Sequence, residues 1–398
     1  MRMFEALANK PVRMLWAGQV FSSVGDEIYN IALVWYATQL IGTDAGYVAS
    51  LQALAIFIFS LIGGVWVDHH DNRKVMIVTD LLRGFAILIL PVSTFLFPLT
   101  LWLLIPVAIV VASLSAFFNP ALKALLPSLV EEPRVLETAN GLMESTSRFA
   151  RAIGPGLISL VSHFVPVVHY FTLDALTFFV SAWSVKNVET PTSVSPIKVE
   201  RSSFAESLSA GYYLSKKNSV VSFVLYSGAI VGAAWLFIIP LGFALLLRER
   251  ITSDVGALGT VIFGYGLGNV SSNIALANFS FKRPGRLIWW GQFLAGIGFT
   301  GLAFSHTLPQ AMIAGAIAAS GGPMTDIGFV NLLQRFYRGR DLMRIHRYHM
   351  ALNYGMLLAV LLLSPMLLKL ASVSHVILGC AAAIFIPGVI GYVYFKEA

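Results

Sequence analysis

The feature that most constrains this chain is a succession of long apolar runs bounded by Gly, Pro, Asn or charged residues. Each run reaches the length of about 20 residues that an α-helix needs to cross a bilayer. Helices also satisfy their own backbone groups, which hydrocarbon requires of any spanning segment. We therefore predict an all-α membrane protein with about twelve transmembrane helices. The runs lie near residues 13–40, 45–67, 74–95, 99–122, 139–162, 167–187, 219–247, 254–278, 285–305, 309–332, 346–370 and 373–395.

Composition excludes an ordinary soluble enzyme. Hydrophobic residues make up 57% of the chain and charged residues 12%, about half the charged share of a soluble domain. The single cysteine, Cys380, excludes an internal disulfide and a thiolate metal cluster. The adjacent His69 and His70 have no further His, Cys or catalytic motif at useful spacing, and the sequence has no phosphate-binding GxxxxGK[ST] loop. We expect neither enzymatic activity nor a cofactor or metal.

The runs divide six and six around a segment rich in Ser, Pro and charge, which a bilayer core would not accept. Near the end of this segment Phe204, Leu208 and Tyr212 recur at helical spacing, which predicts a short interfacial helix. The chain is thus divided into an N-terminal six-helix bundle, a cytoplasmic linker and a C-terminal six-helix bundle, at residues 1–187, 188–218 and 219–398.

The distribution of positive charge predicts the orientation in the membrane. Most Lys and Arg residues fall in loops on one side, whereas the opposite loops hold Arg248, Arg250 and Lys369. By the positive-inside rule, both termini are expected in the cytoplasm. The net charge of +7 is scattered over several short loops rather than gathered on one face, so we expect contact with the lipid bilayer and none with nucleic acid.

The loop between the second and third spans, residues 64–74, has a glycine, an aspartate four residues later and a basic pair. It resembles the signature loop of the major facilitator superfamily. Residues 117–130, 139–140 and 151–156 resemble the branch of that superfamily that contains macrolide efflux proteins and the enterobactin exporter. The resemblance implies two pseudo-symmetric six-helix bundles around a central cavity, which is the major facilitator fold.

The same loop suggests a cytoplasmic gate. Asp68 ends the second span and Asp71 begins the third, where a carboxylate can accept the free N–H groups of the helix start. Arg73 and Lys74 can pair with acidic groups in one state of the carrier and release them in the other. The alternative is a static cap that sets topology. The predicted gate comprises Gly64, Asp68, Asp71, Arg73, Lys74, Asp80, Arg83, Glu144 and Arg148.

Asp26 and Glu27 lie in the middle of the first span, where an ionisable side chain requires a partner, water or a function. As neighbours they point about 100° apart on a helix. At least one should face the cavity, where desolvation and the other carboxylate favour proton binding. The alternative is that Asp26 bonds Tyr29 or Asn30 and only orders the bundle.

In the fifth span Glu144, Arg148 and Arg151 form one charged stripe, since they lie at i, i+4 and i+7. Glu144 and Arg148 are expected to pair. Arg151 lies deeper and is expected to meet Asp26, Glu27 or an anionic substrate group.

Asp174 and Asp326 are each isolated in their spans, and a structural partner between helices is as plausible there as a role in transport. The residues predicted for proton coupling or the substrate cavity are therefore Asp26, Glu27, Arg151, Asp326 and Asp174.

Glycine and proline interrupt two spans in opposite halves of the chain. Proline removes a backbone hydrogen bond, and glycine permits close helix contact. Paired hinges of this kind fit rocking of two bundles around a central site, although both residue types are common in membrane helices. The predicted hinge residues are Gly154, Pro155, Gly156, Gly322 and Pro323.

The resemblance implies export of a small to medium organic compound, drug-like or siderophore-like, by a proton-coupled carrier in the bacterial inner membrane. The expected partners are the small-molecule substrate, protons and lipid, and the chain is expected to act as a monomer. Two alternatives remain open at this point: an importer of a siderophore or other organic solute, and a lysolipid flippase of the same fold.

Overall fold

A computed structural model describes residues 6–67, 70–130, 132–189, 204–276 and 283–395, and every regular element within these ranges is helical. The chain forms two compact units, Met1–Ile197 and Lys198–Ala398.

The first unit contains six long helices, as the apolar runs predict. Local signals start several of them: the Asn9 side chain accepts the N–H of Val12 at 3.2 Å where the first helix begins, and a proline lies at the start of the fifth. The helices are α1 (Lys10–Ile41), α2 (Ala45–Val67), α3 (Asn72–Ser93), α4 (Leu101–Ser128), α5 (Pro133–Val161) and α6 (Val168–Lys186).

The second unit opens with the short helix α7 and continues with six longer segments. The first of these is interrupted, because Pro240 lacks an N–H and the chain takes a π-helical path over Ile238–Gly242 before continuing as α9. The helices are α7 (Phe204–Lys216), α8 (Ser219–Phe237), α9 (Phe243–Arg250), α10 (Val255–Leu276), α11 (Pro284–Ala303), α12 (Leu308–Phe336), α13 (Gly339–Leu370) and α14 (Val373–Tyr394).

The two units use one packing scheme. In the first unit α1 packs on α5 and α6, α3 packs on α4 and α6, and α2 packs on α4. In the second unit α8 packs on α13 and α14, α11 packs on α12 and α14, and α10 packs on α12. If α8 and α9 are counted as one span, both units contain the same pairs of packed spans: first with fifth and sixth, second with fourth, and third with fourth and sixth. The predicted pseudo-symmetric six-helix bundles are therefore confirmed.

Composition alone does not identify every long helix as a span. α5 carries Glu144, Arg148 and Arg151 and is recognised by its position in the bundle instead. By length and composition, six described stretches could cross a membrane: Lys10–Ser60, Asn72–Ser93, Leu101–Ser128, Ser219–Arg250, Gly339–Leu370 and Val373–Tyr394.

Two helices begin earlier than their apolar runs. α5 starts at Pro133 rather than near residue 139, and α13 starts at Gly339 rather than near residue 346. Their first turns are polar, so an apolar pattern misses them. Of the predicted linker, residues 190–203 lie outside the described residues, and its last part forms α7.

Candidate functional site

The adjacent carboxylates on α1 point in different directions. Asp26 interacts electrostatically with Arg83 and Asp80 on α3, whereas Glu27 interacts with Arg151 on α5. The first span therefore contributes one acidic group to each of two neighbouring helices. Of the two carboxylates that Arg151 was expected to meet, Glu27 is the one with which it interacts electrostatically.

Arg83 and Asp80 form a buried ion pair within α3. A guanidinium N–H donates to the Asp80 carboxylate, and Nη1 donates to Ser115 Oγ at 3.3 Å. The guanidinium carbon lies 4.4 Å from the ring centroid of Phe118 and 4.2 Å from that of Phe178. Cation–π contact on both rings offsets part of the desolvation of this arginine.

Asp174 joins this pair from α6. Its side chain is fully buried, accepts a hydrogen bond from Thr177 Oγ1 at 3.3 Å, and interacts electrostatically with Asp26 and Arg83. Asp174 is isolated along its own span, but the packing of α6 on α1 and α3 brings it to residues distant in sequence.

We call Asp26, Asp80, Arg83 and Asp174 the acidic cluster. Three carboxylates there share one guanidinium, so full ionisation leaves a net charge of minus two in a buried site. Within the described residues, the Oδ2 atoms of Asp80 and Asp174 and the hydroxyl of Tyr29 are buried without a hydrogen-bond partner. The cluster can therefore accept protons or hydrogen-bond donors.

Two glycines on α1 and α5 permit the close helix contacts that assemble the site. A Cβ at Gly25 would lie 2.2 Å from Thr177 Oγ1 and 2.5 Å from Asp174 Oδ1. A Cβ at Gly154 would lie 2.8 Å from Glu27 Cβ. Gly154 is therefore a packing residue in this conformation, and α5 continues as a helix through Pro155 and beyond.

The corresponding segment of α12 behaves similarly. A Cβ at Gly322 would lie 3.2 Å from Asn269 Nδ2, and the helix continues through Pro323. Asp326, three residues further on, is engaged by a neighbouring group, so it too is not isolated. The predicted hinge function of these segments stays a prediction.

At the loop predicted to form the gate, Asp71 caps α3 by accepting the N–H groups of Arg73 and Lys74 at 3.0 and 3.2 Å. Arg73 Nε donates to the carbonyl of Val185 at 3.1 Å, and its guanidinium also bonds the carbonyl of Lys186. Arg73 thus ties the start of α3 to the end of α6 by satisfying terminal carbonyls.

The other predicted gate residues separate into three groups. Glu144 and Arg148 form the expected ion pair at 3.1 Å, with side chains 60% and 40% exposed. Asp80 and Arg83 are buried in the acidic cluster, at most 2% exposed, and their part in the gate stays a prediction. Asp68 lies outside the described residues, and only the helical backbone of Gly64, in α2, is described.

The second unit contains polar groups that sequence reasoning missed. Tyr226 and Tyr348 share a hydroxyl–hydroxyl hydrogen bond of 2.9 Å. His349 Nε2 and Asn353 Nδ2 lie 2.9 Å apart on α13. The i, i+4 spacing of this histidine and asparagine inside an apolar run was the available signal.

Several aromatic side chains that could have lined a cavity are core residues. Trp35, Phe118 and Phe237 are each at most 3% exposed. Trp235 donates its indole N–H to Tyr265 Oη at 2.6 Å.

Comparisons with known proteins agree with this architecture. A family model described as a transmembrane secretion effector matches residues 2–392. Macrolide efflux protein A of Streptococcus pyogenes is 25% identical over 305 residues, covering 75% of this chain and 73% of that protein. Multidrug efflux pump Tap of Mycolicibacterium fortuitum is 23% identical over 322 residues, covering 77% and 76%.

Among solved structures, a POT family transporter in complex with a thioalcohol-conjugated peptide is similar with a TM-score of 0.75. The two chains are 13% identical, and the match covers 97% of this chain and 96% of the other. At this identity the likeness concerns the fold, and it confirms the predicted transporter architecture.

Proposed function

Because this chain belongs to the transmembrane secretion effector family, within the major facilitator superfamily, we propose that it exports a small to medium organic compound in exchange for protons. Transport proceeds by alternating access of the two bundles in the bacterial inner membrane, with both termini in the cytoplasm. The names of the relatives, a macrolide efflux protein and a multidrug efflux pump, support export of drug-like molecules. A siderophore-like substrate rests on the sequence resemblance alone.

The observation that carries the proton-coupling proposal is the acidic cluster. Three buried carboxylates cannot all remain ionised around one guanidinium without a large desolvation and repulsion cost. A bound proton relieves that cost. Arg83 stays charged throughout, so one bound proton lowers the net charge of the site from minus two to minus one and a second makes it neutral.

Glu27 and Arg151 supply a second proton-sensitive contact. When the arginine approaches, it favours the ionised carboxylate; when it withdraws, the carboxylate favours a proton. A change in the distance between α1 and α5 would therefore load or release a proton. Gly154 allows the close approach of these helices, because a Cβ there would lie 2.8 Å from Glu27 Cβ.

The driving force is sufficient for export against a gradient. One elementary charge moved across 100 mV contributes about 2.3 kcal/mol, before any pH gradient is added. Coupling requires that proton and substrate favour opposite states of the carrier. The loop residues Asp68, Asp71, Arg73 and Lys74 would hold the cytoplasmic side closed in one of those states.

The test uses the purified chain in proteoliposomes with an imposed pH gradient and a radiolabelled macrolide. We expect gradient-driven accumulation by the wild type. Either Asp26→Asn or Glu27→Gln should lose accumulation while retaining exchange of labelled for unlabelled macrolide without a gradient.

Glu137→Gln is the matched control, because it removes an exposed carboxylate of α5 that lies outside both contacts and outside the predicted gate. Full pH-driven accumulation in both Asp26→Asn and Glu27→Gln would contradict the assignment of proton coupling to α1. Accumulation in the opposite direction would favour an importer, and movement of a lysolipid in place of the macrolide would favour a flippase.

A further inference from the structure

A cavity of about 360 Å³ lies between α12 and α13 in the second unit. Its volume is within the range of about 300–1,000 Å³ that small-molecule sites occupy. The walls are mainly apolar and include Phe329, Leu333 and Leu342. Polar side chains at the cavity are Gln334, His346 and Arg347. Mainly apolar walls with a few polar groups are the arrangement expected of an organic-ligand site.

Positive charge predominates in the helix ends that form this cavity. Between residues 329 and 349 the sequence contains five arginines and one acidic residue, Asp341. That aspartate pairs with Arg344 at 3.6 Å, so its charge is matched locally. Arg347 and His346 line the cavity itself. The surrounding field therefore favours an anion.

One wall of the cavity covers a buried polar group. The Phe329 ring stacks on His349 with centroids 4.2 Å apart, and His346 lies 6.4 Å from the same imidazole. His349 Nδ1 is buried without a hydrogen-bond partner among the described residues, while Nε2 lies 2.9 Å from Asn353 Nδ2. The ionisable groups at the cavity, His346 and Arg347, and the buried His349 behind its wall therefore all lie on α13.

We propose that this cavity binds an amphipathic organic anion. The apolar body packs against Phe329, Leu333 and Leu342, and the anionic group meets the guanidinium of Arg347 beside His346. The inference rests on the proposed export function, for which the cavity is a substrate subsite within the second unit. It assigns recognition of negative charge to α13, on the unit that lacks the acidic cluster.

The test is direct binding to the full-length chain in phosphatidylcholine nanodiscs, measured by equilibrium dialysis. The probes are a naphthalenesulfonate and a naphthyltrimethylammonium, which share an apolar body and differ in charge. The sulfonate should bind at least about tenfold more tightly. Arg347→Gln should weaken sulfonate binding about tenfold or more, as expected for a lost charge-assisted contact. Arg338→Gln, which removes the same charge from an exposed position at the start of α13 outside the cavity lining, should leave binding unchanged.

A second pair of variants tests the cavity by volume rather than charge. Met343→Trp should fill the space and weaken binding of the sulfonate, because Met343 lines the cavity. Met350→Trp, on an exposed part of the same helix, should not.

Equal binding of the two probes, or full sulfonate binding in both Arg347→Gln and Met343→Trp, would overturn the proposal. Displacement of the probe by phosphatidylglycerol in the nanodisc would overturn it as well, in favour of a lipid site. Sulfonate binding without any gradient-driven transport would refute the proposed function while leaving the site in place.

Discussion

The two bundles share a packing scheme and differ in chemistry. In the first unit, carboxylates at mid-helix positions on α1, α3 and α6 gather around Arg83. In the described helices α8 to α14, the carboxylates are Glu249 near one helix end, Asp341 in a first helical turn and Asp326 within α12. Polar groups inside the second unit instead include the Tyr226 and Tyr348 hydroxyls, the His349 imidazole and the Asn353 amide. The same packing scheme therefore carries different side chains in its two halves, which is why we propose proton coupling in the first unit and ligand recognition in the second.

The largest expected effect comes from removing the cation that the first unit depends on. Arg83→Gln leaves a buried carboxylate without its partner, which costs about 3–5 kcal/mol. Thermal unfolding of the purified chain should report this loss. The double variant with Asp80→Asn should regain much of it, because it removes the charge left uncompensated. An Arg83→Gln unfolding temperature close to the wild-type value would show that the pair contributes little.

A second prediction concerns the close contact of α1 with α6. Gly25→Ala places a methyl group within 2.5 Å of Asp174 Oδ1 and should destabilise the chain by about 1–3 kcal/mol. Gly141→Ala is the matched control, because a Cβ there meets nothing within 4 Å. It should be neutral or stabilising by up to about 1 kcal/mol, as alanine favours helix. If the two variants unfold at the same temperature, the contact between α1 and α6 at Gly25 can accommodate a methyl group, and the prediction is wrong.

Sequence patterns predict most of the fold because apolar run length and flanking breakers follow directly from bilayer thickness. They miss the polar first turns of α5 and α13, which no lipid constraint marks. The acidic cluster is the larger omission. Asp174 looks isolated in sequence, and only the packing of α6 on α1 and α3 brings it near Asp26 and Arg83. By contrast, helix spacing suffices to predict the Glu144–Arg148 pair.

A smaller effect is expected in the second unit. Tyr226→Phe removes the 2.9 Å hydrogen bond to Tyr348 and should cost about 1 kcal/mol, the usual net value of such a bond. Proton-driven accumulation in proteoliposomes should be unchanged, because these hydroxyls lie in the unit without the acidic cluster. Loss of accumulation at normal stability would contradict the assignment of proton coupling to the first unit.

The smallest effect is expected at the exposed ion pair of α5. Glu144→Gln should change stability by about 0.5 kcal/mol or less, since solvent screens an i, i+4 pair whose side chains are 60% and 40% exposed. Unfolding at low and high salt gives the comparison, and salt should reduce even this difference. A shift above about 1 kcal/mol would mean that the stripe has a partner beyond Arg148.

Proton release on substrate binding tests the central claim most directly. A macrolide is added to the purified chain in weakly buffered detergent solution, and a pH indicator counts the protons released per molecule bound. We predict release by the wild type, reduced or abolished release by Asp26→Asn or Glu27→Gln, and unchanged release by Asp326→Asn and His349→Gln. Loss of release in either second-unit variant, with both first-unit variants intact, would contradict the assignment of proton coupling to the first unit.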